Sequence, residues 1–210
     1  MRKGLWIIGT LAVVSLVIPI ILIAQGAAPT AAATKVSPFG FLAENAGIKV
    51  VVDTETARYQ GKSKYIPMVV FFAARGAESI TLNRAAFTLT DPSGKVHPMA
   101  TQEEIKDKKN YGSGNVANDY TFIHKTIEAG PDVQSFNGLS FAQGVVVFFP
   151  NISGMPAMVR EPGELRPNGW GWALMYFANP GGKMAGTYKL TYTDPATKGV
   201  VTVPFEIKWS

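Results

Sequence analysis

From Gly186 to Trp209 the chain alternates apolar and polar positions twice, with a turn between. Tyr188, Leu190 and Tyr192 fall on one side of an extended chain, and Lys189, Thr191 and Thr193 on the other. Asp194-Pro195-Ala196-Thr197-Lys198-Gly199 supplies turn residues, after which Val201, Val203, Phe205, Ile207 and Trp209 alternate with Thr202, Pro204, Glu206 and Lys208. Successive side chains of a strand point to opposite faces, so this spacing predicts a β-hairpin with one wet face and one apolar face. A hairpin of that kind needs a second layer to bury against. The pattern therefore predicts an all-β antiparallel sandwich, with Val201, Phe205 and Trp209 inward and Lys189, Glu206 and Lys208 outward.

Three other runs, 65–74, 141–149 and 170–178, are apolar at both odd and even positions. A strand with that composition is covered on both sides, whereas a simple two-sheet sandwich leaves one face of each sheet in water. Something must lie over these strands. Inside the chain the candidates are 36–45, a helix at 101–109 and the loop 151–168; outside it, a protein partner, a second copy or a membrane-bound protein would serve.

The remaining segments are shorter. Residues 48–57 predict a strand with a polar finish, 80–82 and 87–89 predict short strands, and Asp91-Pro92-Ser93-Gly94 predicts a turn into Lys95-Val96-His97-Pro98. Thr101 followed by Glu104 has capping-box spacing and predicts a short inserted surface helix. Residues 110–119 read as an exposed, mobile loop of Gly, Ser and Asn, 120–127 as a strand, and 151–168, with Pro156, Pro162 and Pro167, as a long surface loop.

Ahead of all this, Arg2 and Lys3 precede the uncharged apolar stretch 5–24. Charge followed by such a run predicts either a cleaved export signal or a retained membrane anchor, and its roughly 20 residues suffice to span a bilayer. Small residues at Ala24-Gln25-Gly26 favour cleavage; the length of the run favours retention. Either way the rest of the chain is expected outside the cytoplasm: periplasmic, on the cell surface or secreted. The expected organisation is a signal or anchor helix at 1–26, a linker and packing segment at 27–46, and one sandwich domain at 47–210.

Composition narrows the function classes. The net charge of +5 falls to +3 without Arg2 and Lys3, and the remaining cations are interleaved with acids, so no nucleic-acid stripe is expected. With no cysteine, disulfides, thiolate metal sites and Cys nucleophiles are all excluded. Phosphate-binding loops, dinucleotide fingerprints and HExxH helices do not occur, so no cofactor is expected. The nearest approach to a nucleophile elbow, Gly138-Leu139-Ser140-Phe141-Ala142, lacks the second glycine. Two binding ideas remain. His97 and Met99, two residues apart at a strand end, offer imidazole and thioether to Cu(I), with Met155 and Met158 as further soft donors; methionine as core filler is the plainer account. Trp170 and Trp172 alternate on one face and would suit a ligand or partner contact, although a core role fits their apolar neighbours equally.

The series 65–72, Ile80-Thr81-Leu82 and Phe87-x-Leu89-x-Asp91-x-x-Gly94, with Gly144-Val145-Val146-Val147-Phe148 downstream, resembles the telokin-like immunoglobulin-fold domains of secreted bacterial envelope proteins. The likeness covers 48–149, and Gly186-x-Tyr188 is similar to the closing strands of many Ig-like domains. Segments 101–119 and 151–168 depart from that pattern. The resemblance implies an Ig-like extracytoplasmic sandwich and brings no catalytic residues. Together these readings lead to the expectation of a non-enzymatic, exported or membrane-anchored envelope protein acting as an interaction or accessory module; the alternative is a periplasmic protein that binds a small ligand or copper.

Overall fold

The computed structural model describes residues 32–74, 78–112, 115–116, 119 and 163–210, together with the backbone of 143–145. Expectations for the apolar run 5–24, the strand 120–127, the serine at 140 and the methionines at 155 and 158 lie outside these residues.

Among the described residues, strands dominate. Strands β1 (Thr34–Lys35), β2 (Gly40–Asn45), β3 (Ile48–Asp53), β4 (Tyr65–Ala74), β8 (Gln143–Val145) and β10 (Trp170–Ala178) form one sheet in the order β1-β2-β3-β4-β10-β8. A second sheet runs β12-β11-β6-β7, from β6 (Phe87–Thr90), β7 (Val96–Pro98), β11 (Thr187–Thr193) and β12 (Val200–Glu206). The short strands β5 (Ile80–Leu82) and β9 (Gly163–Leu165) pair with each other. The architecture is an all-β sandwich.

Strands β4 and β10 are both interior to their sheet and pair in antiparallel register from Trp170↔Ala73 to Ala178↔Tyr65. Direct partners share a face. On one face, Ile66, Met68, Val70 and Phe72 stand with Ala173, Met175 and Phe177, and this face meets the second sheet: Phe72 packs on Phe87, and Phe41 of β2 on Phe205 of β12. The other face carries Tyr65, Val69, Phe71, Trp172, Leu174 and Tyr176, all buried as well.

The chain supplies cover for that outer face. Immediately after β7 it crosses between sheets, through a Met99–Phe177 bridge and the Ala100 amide donating to the Tyr176 carbonyl at 2.8 Å. Helix α2 (Gln102–Lys106) then begins with the expected capping box between Thr101 and Glu104. Beyond it, Tyr111 packs edge-on against both Tyr65 and Tyr176, with ring centroids 6.4 and 5.2 Å away. Residues expected to form a mobile loop thus include one that is built into the cover.

The closing hairpin has the expected orientation. Val201, Val203 and Phe205 are buried, Trp209 is half-buried, and Lys189, Glu206 and Lys208 are exposed. Besides β9, a strand with buried Gly163 and Leu165 inside the expected surface loop 151–168, three features differ from the sequence reading. Segment 36–45, expected to lie on the domain, contributes β2, which pairs with β3 from Gly40↔Asp53 to Asn45↔Ile48; its half-buried Phe41 and Leu42 in succession conceal the alternation. Second, β3 stops at Asp53, because the Asp53 carboxylate accepts the Glu55 amide at 2.8 Å and helix α1 (Glu55–Arg58) follows. Third, β8 joins β10 in parallel register, Trp170↔Gln143 to Trp172↔Val145, whereas an antiparallel sandwich was expected. Segment 146–169 is long enough for the crossover that a parallel pair requires.

Candidate functional site

The buried ionisable groups are where chemistry would reside, and three carboxylates stand out. Asp91 opens the turn between β6 and β7. One oxygen accepts the amides of Ser93 and Lys95 at 2.8 and 3.1 Å and the Ser93 hydroxyl at 2.5 Å. Its other oxygen lies 2.8 Å from Nε2 of His97. Burial pushes this carboxyl up, but the hydrogen bonds from His97, Ser93 and Lys95 outweigh it and bring it down to about 2.

Asp194 plays the same part in the closing hairpin. Fully buried, it accepts the Thr81 amide at 2.9 Å, the Thr197 amide at 2.8 Å and the Thr197 hydroxyl at 2.6 Å, besides the Tyr192 hydroxyl at 3.1 Å. Burial acts to raise its pKa; the four donors more than offset this and hold it below the ordinary carboxylate value.

Asp119 differs. It sits under the cover of the six-stranded sheet, where Tyr111 donates to Oδ2 at 2.6 Å, Tyr176 donates to the same oxygen at 3.0 Å and Gln60 reaches Oδ1 at 3.5 Å. No backbone amide is among these donors. Desolvation therefore wins over the hydrogen bonds and raises the carboxyl to about 6, while burial and the carboxylate together push the Tyr111 hydroxyl well above its ordinary value. The sequence offered no sign of this cluster, because Asp119 lies beyond a Gly-Ser-Asn stretch and Tyr176 inside an apolar strand.

The sequence-based candidates are placed as follows. His97 opposes Leu89 in the β6–β7 pair, so its ring points into the sandwich, and Met99 lies two residues on, on the same side; both are buried. Trp172 is 3% exposed and Trp170 half-buried on the outer face of β10, so Trp172 presents no open stacking platform. Met155 and Met158 lie outside the described residues. Among the described residues no group of three or more His, Cys, Asp or Glu side chains is arranged to hold a metal. No helix among them is long and apolar enough to cross a membrane. Beside the His97–Asp91 pair, the Ser93 hydroxyl donates to the Asp91 carboxylate.

No protein-family model and no curated protein sequence matches the chain. Among solved structures, the yjhA protein from Bacillus subtilis is similar at 13% identity, over 86% of this chain and 98% of its own, with a TM-score of 0.34. At that score the likeness says nothing of the site.

Proposed function

We propose that the chain is an exported or membrane-anchored, immunoglobulin-like sandwich of a cell envelope that acts by contact with a partner and not by catalysis. The observation that carries this reading is the N-terminal order of charge and apolar run, Arg2 and Lys3 followed by 5–24, ahead of a cysteine-free β-sandwich. The described interior adds support: Asp91 and Asp194 are engaged by donors of their own turns, which is the pattern of structural anchors. The telokin-like resemblance of 48–149 points the same way.

The test exploits the absence of cysteine. Ala196→Cys, in the exposed β11–β12 turn, gives the full chain a single thiol. A membrane-impermeant maleimide is expected to label it in intact bacterial spheroplasts or in the medium. Labelling only after lysis would refute export. Sedimentation of the purified full chain across a concentration series then separates self-association from a need for another protein.

A second reading, copper binding, draws on the placement of His97 and Met99 on one side of β7. Cu(I) titration of the full chain against the His97→Ala/Met99→Ala double variant decides it: equal binding by both dismisses the site.

A further inference from the structure

Three side chains from three separate segments hold Asp119. Gln60 Nε2, from the turn after α1, lies 3.5 Å from Oδ1, and the hydroxyls of Tyr111 and Tyr176 donate to Oδ2 at 2.6 and 3.0 Å. Two of these partners belong to the framework. Tyr176 stands in β10, which is paired along its whole length with β4, and the Gln60 amide donates to the Ala57 carbonyl while its side-chain oxygen accepts the Ser63 hydroxyl. Tyr111 is held differently. Its amide donates to the Asp107 carbonyl and the Gly112 amide to that of Ile105, so among the described residues the backbone of 107–112 bonds to α2, to itself and to 115–116, and never to the sheet. What ties this segment to the sheet is side chains: the Tyr111 ring, edge-on to Tyr65 and Tyr176, its hydroxyl on Asp119, and a contact between Asn110 and Lys64.

The charges on the surrounding elements do not compensate a buried anion. Lys62 and Lys64 precede β4, but Lys64 is engaged by Asn110 and neither contacts Asp119. On α1, Glu55 lies one turn from Arg58, whose guanidinium sits over the rings of Phe39 and Tyr59. In and after α2 the exposed Lys106, Lys108 and Lys109 are interspersed with Glu103, Glu104 and Asp107, and it is the charge of Glu104 and Asp107 that is felt at Tyr65, beside Tyr111. Asp91 and Asp194 accept amides of their own turns; Asp119 has neither an amide nor a cation among its partners. We propose that Tyr111 and Asp119 form a pH-sensitive latch: the neutral carboxyl keeps Tyr111 seated against Tyr65 and Tyr176, and ionisation favours release of 107–112, baring the ring edges that Tyr111 covers. The long approach of Gln60 leaves Oδ1 room for the proton while Oδ2 accepts both tyrosines. Released, the carboxyl meets water and ionises near 3.8; seated, desolvation holds it at about 6. The seated form thus keeps a proton that the released form has shed, and rising pH between these values favours release. The latch belongs to the fold and holds whether or not the chain is exported. In a protein that acts by contact, it conceals an aromatic patch in acid and offers it more often at neutral pH.

The test is hydrogen exchange of the full chain between about pH 4 and pH 7, read at 107–112 and in β11 and β12, with Asp119→Asn as the variant that cannot ionise. Relative to that variant, opening at 107–112 is expected to grow by roughly fiftyfold across this range. Small additions of urea separate the latch from unfolding of the whole sandwich: exchange at 107–112 should be nearly indifferent to them, and exchange in β11 and β12 should follow them steeply. Tyr111→Phe keeps the ring and drops the hydroxyl, so it should open 107–112 about fivefold more often at acid pH. A ratio of parent to Asp119→Asn that does not change with pH, exchange at 107–112 as dependent on urea as in β12, or Tyr111→Phe exchanging like the parent would overturn the latch. Thermal midpoints check folding. If Asp119→Asn does not fold, tryptic cleavage after Lys109 in the parent, measured against a free peptide of the same sequence, replaces the comparison: the ratio should rise with pH, and a constant ratio would equally overturn it.

Discussion

Nε2 of His97 lies 2.8 Å from Oδ2 of Asp91, across a hairpin turn that the same carboxylate closes with its other oxygen. One side chain thus fixes the turn and the position of edge strand β7. Because the folded-state carboxyl is depressed to about 2 from 3.8, its ionised form stabilises the fold above the unfolded value, and that contribution is lost as pH falls through the folded one.

Asp91→Asn keeps an acceptor for Ser93 and Lys95 but removes the charge. A loss of about 1 kcal/mol is expected near neutral pH, allowing for screening by solvent at this edge. Urea unfolding of both proteins should show the gap closing between about pH 4 and pH 2. A gap that ignores pH would refute the charge-based account.

Asp119 has the opposite sign. Its carboxyl is raised to about 6 from 3.8, so the unfolded chain ionises first and the fold loses stability as pH climbs through that window. Asp119→Asn cannot ionise, and its stability relative to the parent should rise by about 2 kcal/mol between about pH 4 and pH 7. Parallel pH profiles for the two proteins would refute this.

Tyr192 donates its hydroxyl to the Thr81 carbonyl at 2.8 Å and to Asp194 at 3.1 Å, joining β5 to the closing hairpin. Tyr192→Phe keeps the ring against Phe87 and removes only these bonds. The expected cost is about 1–2 kcal/mol. Hydrogen exchange should speed up at residues 80–82 more than in β4; uniform acceleration would argue against a local tie.

Gly186 adopts φ +122°, and a Cβ there would lie 2.9 Å from Cβ of Pro92. Gly186→Ala is therefore both strained and crowded, and a loss of about 2 kcal/mol or more is expected. Gly94→Ala, at φ +89° but in open space, should cost about 1 kcal/mol. Equal thermal midpoints for the two variants would show that the contact with Pro92 adds nothing.

These anchors were unequally legible in the sequence. Strands β4 and β10 have the bounds expected from their apolar runs, because burial on both faces leaves an unbroken hydrophobic signal. Thr101 and Glu104 announced their helix through spacing alone. The role of Tyr111 and Asp119 was hidden, since a buried tyrosine–carboxylate contact has no periodicity and their neighbours are residues typical of loops. The roles of Asp91 and Asp194 were half visible: each was expected in a turn, but its donors include residues brought close only by sheet pairing, His97 in one case and Thr81 in the other.

The packing of Phe41 on Phe205 joins β2, near the start of the described chain, to β12, near its end. Contacts of β12 with β2 and β3 share this long sequence separation, and topologies rich in such contacts reach their native state slowly. A ribosome releases β12 after the other described strands. Until then the second sheet lacks an edge, and the apolar faces of β2 and β3 have no lid. Closure of the described sandwich therefore waits on a strand that leaves the ribosome after the strands it covers.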